Sequence, residues 1–136
     1  MKRLILPVVL ALLLPAMPLQ ASSFSTSSTV TYKVSRLRLV STGRAYFGIS
    51  RSPAATITTD CTPTGSEQYW FDASTLQGRI LYNQVLSSYT SQTKVSGSGF
   101  GTAAGSCITN GFICQLFPTV LSCEVEQLSS FTVQQQ

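Results

Sequence analysis

Few residues in this chain could carry chemistry. Its 136 residues include five carboxylates (Asp60, Glu67, Asp72, Glu124 and Glu126), nine lysines and arginines, four cysteines and no histidine. Without histidine there is no Ser-His-Asp or Cys-His nucleophile system, no imidazole base and no imidazole ligand for catalytic zinc. Glu124 and Glu126 stand two apart in an alternating segment and so share one strand face. A retaining glycosidase needs two carboxyl groups roughly 5 Å apart across a cleft, and side chains on one continuous strand do not easily flank a sugar. These two read as a solvated outer face. Gly99-Phe100-Gly101-Thr102-Ala103-Ala104 matches a loose dinucleotide fingerprint behind a strand. Gly105-Ser106-Cys107 follows where that motif requires a helix, so it reads as a Gly-rich strand end. Lys94 and Ser96 form a Ser-Lys pair of a kind that arises by chance in any sequence. The expectation is a protein that is not an enzyme, with no cofactor and no metal.

Binding is the remaining chemistry. Tyr69 and Trp70 are adjacent in a short aromatic run, so one of them points outward if that run is a strand. Tyr46 lies opposite the apolar positions Ala45, Phe47 and Ile49. Trp70, Tyr69 and Tyr46 are therefore the candidate ligand-binding residues, as aromatic platforms for a sugar or as part of a subunit contact. The cysteines Cys61, Cys107, Cys114 and Cys123 are even in number, with no C-x-x-C spacing. They read as two disulfides in an oxidising compartment rather than as a zinc site, with three pairings open.

The elements that must position these residues follow from periodicity. Val30, Tyr32 and Val34 alternate with polar residues, and the apolar phase then moves to Leu37 and Leu39. A one-residue slip of this kind marks a bulge that bends a strand. Ser41-Thr42-Gly43 supplies a turn before the second strand, and Gln68–Phe71 reads as a third. Ser74 and Gln77 fit a capping box, and Gly78, Leu81, Tyr82, Val85, Leu86 and Tyr89 form one stripe at helical period. Gly78 predicts close approach of that helix to its support. Residues 93–100 read as a fourth strand, with Gly97 and Gly99 on the face of Val95, and residues 120–133 as the last strand region. The order β-β-β-α-β-β is that of a mainly β, five-stranded OB-like barrel with one helix between strands three and four.

The start of the chain reads as a leader. Lys2 and Arg3 precede an apolar run from Leu4 to Leu19 that is broken by three prolines and closed by Leu19-Gln20-Ala21. That is the pattern of a signal peptide over residues 1–21, too short and interrupted for a stable span. Residues 22–28, almost all Ser and Thr, read as a flexible lead-in, residues 29–133 as one OB-like domain, and residues 134–136 as a frayed tail. Without the leader, seven basic residues face five acidic ones, a net charge of +2. The cluster Lys33, Arg36, Arg38, Arg44 and Arg51 then reads as ordinary solvated strand faces.

Several pieces together carry a resemblance. Arg44-Ala-Tyr-Phe-Gly-Ile, Cys61, the Gly78-Arg79 helix with Leu-Tyr-Asn-Gln-Val-Leu, Lys94-Val-Ser-Gly-Ser-Gly and Cys107 resemble a group of small exported bacterial proteins of unassigned function. More distantly the chain resembles the cell-binding B subunits of subtilase cytotoxin and typhoid toxin, OB-fold pentamers that bind sialylated glycans. The resemblance implies a Cys61–Cys107 bridge, which leaves Cys114–Cys123 as the second. The expectation is thus a secreted or periplasmic, non-enzymatic binding module for glycans or a surface partner, with no membrane span once the leader is removed. Homo-oligomerisation would suit shallow glycan sites, which gain strength through multivalency. An alternative is a structural or inhibitory envelope protein that binds other proteins only. A third is single-stranded nucleic-acid binding, which export and a charge of +2 disfavour.

Overall fold

The computed structural model describes residues 22–57, 59–61, 67–101, 105–109 and 124–134. Among these, seven strands and one helix follow one another: β1 (Ser23–Phe24), β2 (Thr31–Leu39), β3 (Arg44–Ser52), β4 (Tyr69–Asp72), α1 (Leu76–Ser91), β5 (Val95–Gly99), β6 (Cys107–Thr109) and β7 (Glu124–Val133). The hydrogen-bonded path runs β1-β5-β7-β4-β3-β2, with β6 on the outside of β7, and all pairs are antiparallel except β4 with β7. The protein is mainly β with its helix between β4 and β5, as the periodicity predicts. The sheet itself is open and larger than the expected five-stranded closed barrel, because Ser23–Phe24 and Cys107–Thr109 also pair.

The long β2–β3 hairpin follows local signals. Gly43 adopts φ +84° in the turn, where its amide donates to the Val40 carbonyl at 2.9 Å. The phase slip of β2 is a register shift between Val34 and Arg36. It carries Val34 and then Leu37 onto the inner face, with Lys33, Arg36 and Arg38 on the other. That inner face joins Phe47, Tyr69, Phe71, Val85 and Val95 in the main core. The ring centroids of Phe24, Tyr69, Phe47 and Phe131 follow one another at 5.2–5.9 Å, within the range of favourable aromatic pairs.

Helix α1 rests mainly on β2 and also touches β7. Its cap lies one residue later than the capping-box reading. Ser74 is already engaged, its amide and hydroxyl both donating to Asp72 Oδ1 at 2.9 and 2.6 Å. Thr75 therefore caps, its Oγ1 accepting from the Gly78 amide at 3.0 Å. Gly78, Val85 and Ser88 are the buried helix positions, flanked by the partly buried Leu81 and Tyr82, so the stripe turns away from Leu86 and Tyr89, which are exposed. A Cβ on Gly78 would lie 1.7 Å from the Asp72 carbonyl oxygen.

Two expectations about the ends of the domain change. The Ser/Thr-rich segment 22–28 is not a free lead-in, because Phe24 is a fully buried core residue and Thr26 donates from Oγ1 to the Val95 carbonyl at 2.7 Å. Its pairing with β5 and the Thr26 hydrogen bonds add to the burial of Phe24. Gln134 is likewise tied back, its amide donating to the Lys94 carbonyl at 2.9 Å. The expected leader over residues 1–21, residues 110–123 and residues 135–136 lie outside the described residues. The bridge Cys61–Cys107 is formed, with Cα atoms 5.6 Å apart, and fastens the chain before β4 to β6. Cys114 and Cys123 lie outside the described residues.

Two stability measurements test this packing. Gly78→Ala should destabilise the fold by about 1–3 kcal/mol in chemical denaturation through overpacking, against the roughly 1 kcal/mol that alanine gains in helix propensity. A stabilised variant would show that α1 is not seated on the Asp72 backbone. Removing the Cys61–Cys107 bridge, which spans 46 residues, should cost about 4 kcal/mol in the chain-entropy account. Equal stability of the Cys61→Ala/Cys107→Ala variant and the oxidised protein would contradict it.

Candidate functional site

The three candidate aromatics part company across the sheet. Tyr69 turns inward and is 1% exposed, stacked on Phe47, so it cannot serve as a surface platform. Its neighbour Trp70 and its cross-strand partner Tyr46 face outward. They are still 8% and 6% exposed, because Ile108 of β6 and Ser106 just before it lie against this face and a second small core forms with Val125, Val40 and Ile108. The indole Nε1 of Trp70 donates to the Ser106 carbonyl at 3.0 Å. β7 is consequently buried on both faces at its start, with Val125 toward the small core and Glu126 toward the main one.

Arginines cover both outer rings. The Arg38 guanidinium lies 4.7 Å from the Tyr46 centroid, and Arg44 lies 5.4 Å from that of Trp70, both within cation–π range. Arg38 is locked there. Its Nε and Nη2 donate to the two carboxylate oxygens of buried Glu67 at 2.8 and 2.6 Å. This bidentate bond raises the arginine's pKa further above its already high value. Tyr46 is thereby committed to the structure. Arg44, by contrast, is exposed at the strand end.

Beside Trp70 a cleft of about 460 Å³ opens, lined by Thr42, Arg44, Trp70, Asp72 and Gln127. Register explains the grouping. Arg44 pairs with Asp72 across β3 and β4, and Gln127 pairs with Trp70 across β4 and β7. Asp72 is held below the usual carboxylate pKa, first by the Ser74 hydroxyl, then by the Ser74 amide, with a smaller contribution from Arg44. The cleft thus offers an ionised acceptor, a guanidinium fork, an amide and a hydroxyl over an indole edge. Sequence parity alone puts Arg44 with Tyr46 and Asp72 with Trp70. Arg44, Asp72 and Gln127 were missed as site residues because strand pairing is not written in that parity.

A second polar cluster lies inside. Glu126, read from sequence as part of a solvated face, is 0% exposed. Its Oε1 accepts from the Gly101 amide at 2.7 Å, and its Oε2 accepts from the Asp60 amide at 3.1 Å and from the Ser22 hydroxyl. Space for it comes from Gly99, where a Cβ would stand 1.9 Å from Oε1. Glu126 and Leu128 share the inner face, so the carboxylate follows the apolar residues inward. The Ser22 hydroxyl also lies 3.4 Å from the Tyr69 hydroxyl.

Comparison with known protein families, curated proteins and solved structures finds no match. Among the described residues no helix is long and apolar enough to cross a membrane.

Tyr69 yields a pH prediction. Burial pushes its phenol up to about 12, opposed by the Ser22 hydrogen bond and reinforced by the negative charges of Glu126 and Asp60. The unfolded phenol ionises near pH 10. Its contribution to stability is thus complete below about pH 10 and is lost as pH rises through the folded value. Alkaline titration followed by tyrosinate absorbance should show one late-ionising tyrosine that Tyr69→Phe removes. Ionisation of every tyrosine near pH 10 in the folded protein would contradict the burial.

Proposed function

We propose that this chain is an exported binding module whose outer cleft, floored by Trp70 and edged by Arg44, Asp72, Gln127 and Thr42, takes the hydroxyl-rich surface of a glycan. The cleft carries the reading. A polyol needs paired donors and acceptors at fixed spacing beside a weakly polar surface. Asp72 and Arg44 supply the first and the Trp70 edge the second. The arrangement is preorganised, because Trp70 is pinned through Ser106 and Asp72 through Ser74. Export draws support from the basic, apolar, small-residue leader pattern and from the disulfide.

The same proposal takes the sheet as an elaborated OB-like barrel. In its favour, β2, β3, β4, β7 and β5 are successive neighbours, β4 and β7 run parallel, and a bridge between Lys33 and Lys94 brings β2 against β5. β1 and β6 would be additions to that core. This is the architecture that the resemblance to toxin B subunits implies. A second reading, docking to another protein, is favoured by Leu76 and Ile80, 73% and 46% exposed one turn apart on α1.

A glycan array probed with the oxidised protein, presented singly and on a multivalent carrier, is the test. Binding should fall about tenfold or more in Arg44→Ala and in Asp72→Asn, the scale expected for losing a charged hydrogen bond. Both side chains are exposed, so both variants should fold. No glycan bound at any valency, or binding indifferent to both substitutions, would overturn the proposal.

A further inference from the structure

Glu126 is fully buried and its carboxylate accepts from three donors, yet among the described residues no cation pairs with it. A fully buried carboxylate is costly unless a cation pairs with it. Among the described residues no lysine or arginine pairs with Glu126, whereas Arg38 is paired with Glu67. The titratable groups around it are the phenol of Tyr69 on β4, which feels the charges of both Glu126 and Asp60, and Tyr32 of β2 beyond Tyr69; Asp60 itself meets Glu126 through its backbone amide. None of these supplies positive charge.

Its hydroxyl donor is Ser22, the residue directly after Leu19-Gln20-Ala21. Ser22 is held firmly, since its carbonyl accepts from the Gly99 amide at 2.9 Å and β1 begins at the next residue. Within a serine, the backbone nitrogen lies three bonds from the side-chain oxygen. A hydroxyl in contact with the carboxylate therefore keeps its own nitrogen close by.

We propose that removal of the leader after Ala21 creates the missing cation: the α-ammonium of Ser22 pairs with the buried carboxylate of Glu126 and locks β1 onto the sheet. Processing would then do more than release the protein. Hydrolysis of the Ala21–Ser22 peptide bond adds water, leaving a carboxylate on Ala21 and an amine on Ser22, which takes a proton from solvent. The neutral amide nitrogen of the unprocessed chain cannot play this part. The folded domain becomes more stable only after cleavage at this bond. The proposal is independent of what the outer cleft binds.

The pairing has a definite pH signature. A free α-amine titrates at about 7.7–8.0, and an adjacent carboxylate favours its charged form. The stabilisation is therefore complete below that range and disappears as pH rises through the higher folded value.

The test begins with N-terminal sequencing of the exported protein, which should start at Ser22. Thermal unfolding then compares oxidised protein starting at Ser22 with protein that retains Ala21. The Ser22 form should melt higher by roughly 4 °C or more near pH 6, and the difference should vanish at strongly alkaline pH and in a Glu126→Gln background. NMR titration of the Ser22 α-amine in the unmutated protein, which needs no variant to fold, should give a value above that of a free terminus. A start at another residue would overturn the cleavage, whereas equal melting of the two forms, or an ordinary amine titration, would overturn the pairing.

Discussion

A carboxylate placed inside an apolar sheet must find hydrogen-bond donors, and at Glu126 this requirement gathers distant parts of the chain. Asp60, Gly101 and Ser22 each send a donor to it from a different segment. A buried charge left without these donors would cost several kcal/mol, so the three segments are held to one arrangement. The Cys61–Cys107 bridge lies beside the Asp60 contact, and Ser106, next to Cys107, accepts from Trp70. The interior carboxylate and the outer cleft are thus built on opposite faces of β4 and β7. Tyr69 looks to one and Trp70 to the other.

The two faces use arginine and glutamate differently. Glu67 clamps Arg38 over Tyr46 and fixes that ring as structure. Arg44 covers Trp70 with its head group at the solvent edge, beside an ionised Asp72. The first arrangement closes a surface, whereas the second leaves polar groups turned toward whatever enters. That contrast directs the functional reading to Trp70 and its neighbours and away from Tyr46.

Much of the fold was legible. The turn at Gly43, the bulge after Val34, the helix before β5 and the tight approach at Gly78 all arise from interactions within a few residues. So do strand alternation and the need for glycine where a Cβ has no room. The Cys61–Cys107 pairing came from resemblance rather than from spacing. The short pairings of Ser23–Phe24 and Cys107–Thr109 escaped notice because two or three residues carry no measurable period.

What the sequence determined by itself was therefore parity: which residues share a face, and where a strand bends or a helix begins. It could not determine which face would be covered. Alternation makes Val125 and Glu126 look like an inside–outside pair, yet both are buried, because β6 folds over one side and Gly99 of β5 makes room on the other. The same holds for Trp70, exposed by parity and mostly covered in fact. Burial depends on which other segments arrive, and those contacts join residues far apart in the chain. Only the tertiary structure decided that Glu126 would stand inside and that Arg44, Trp70, Asp72 and Gln127 would share a cleft.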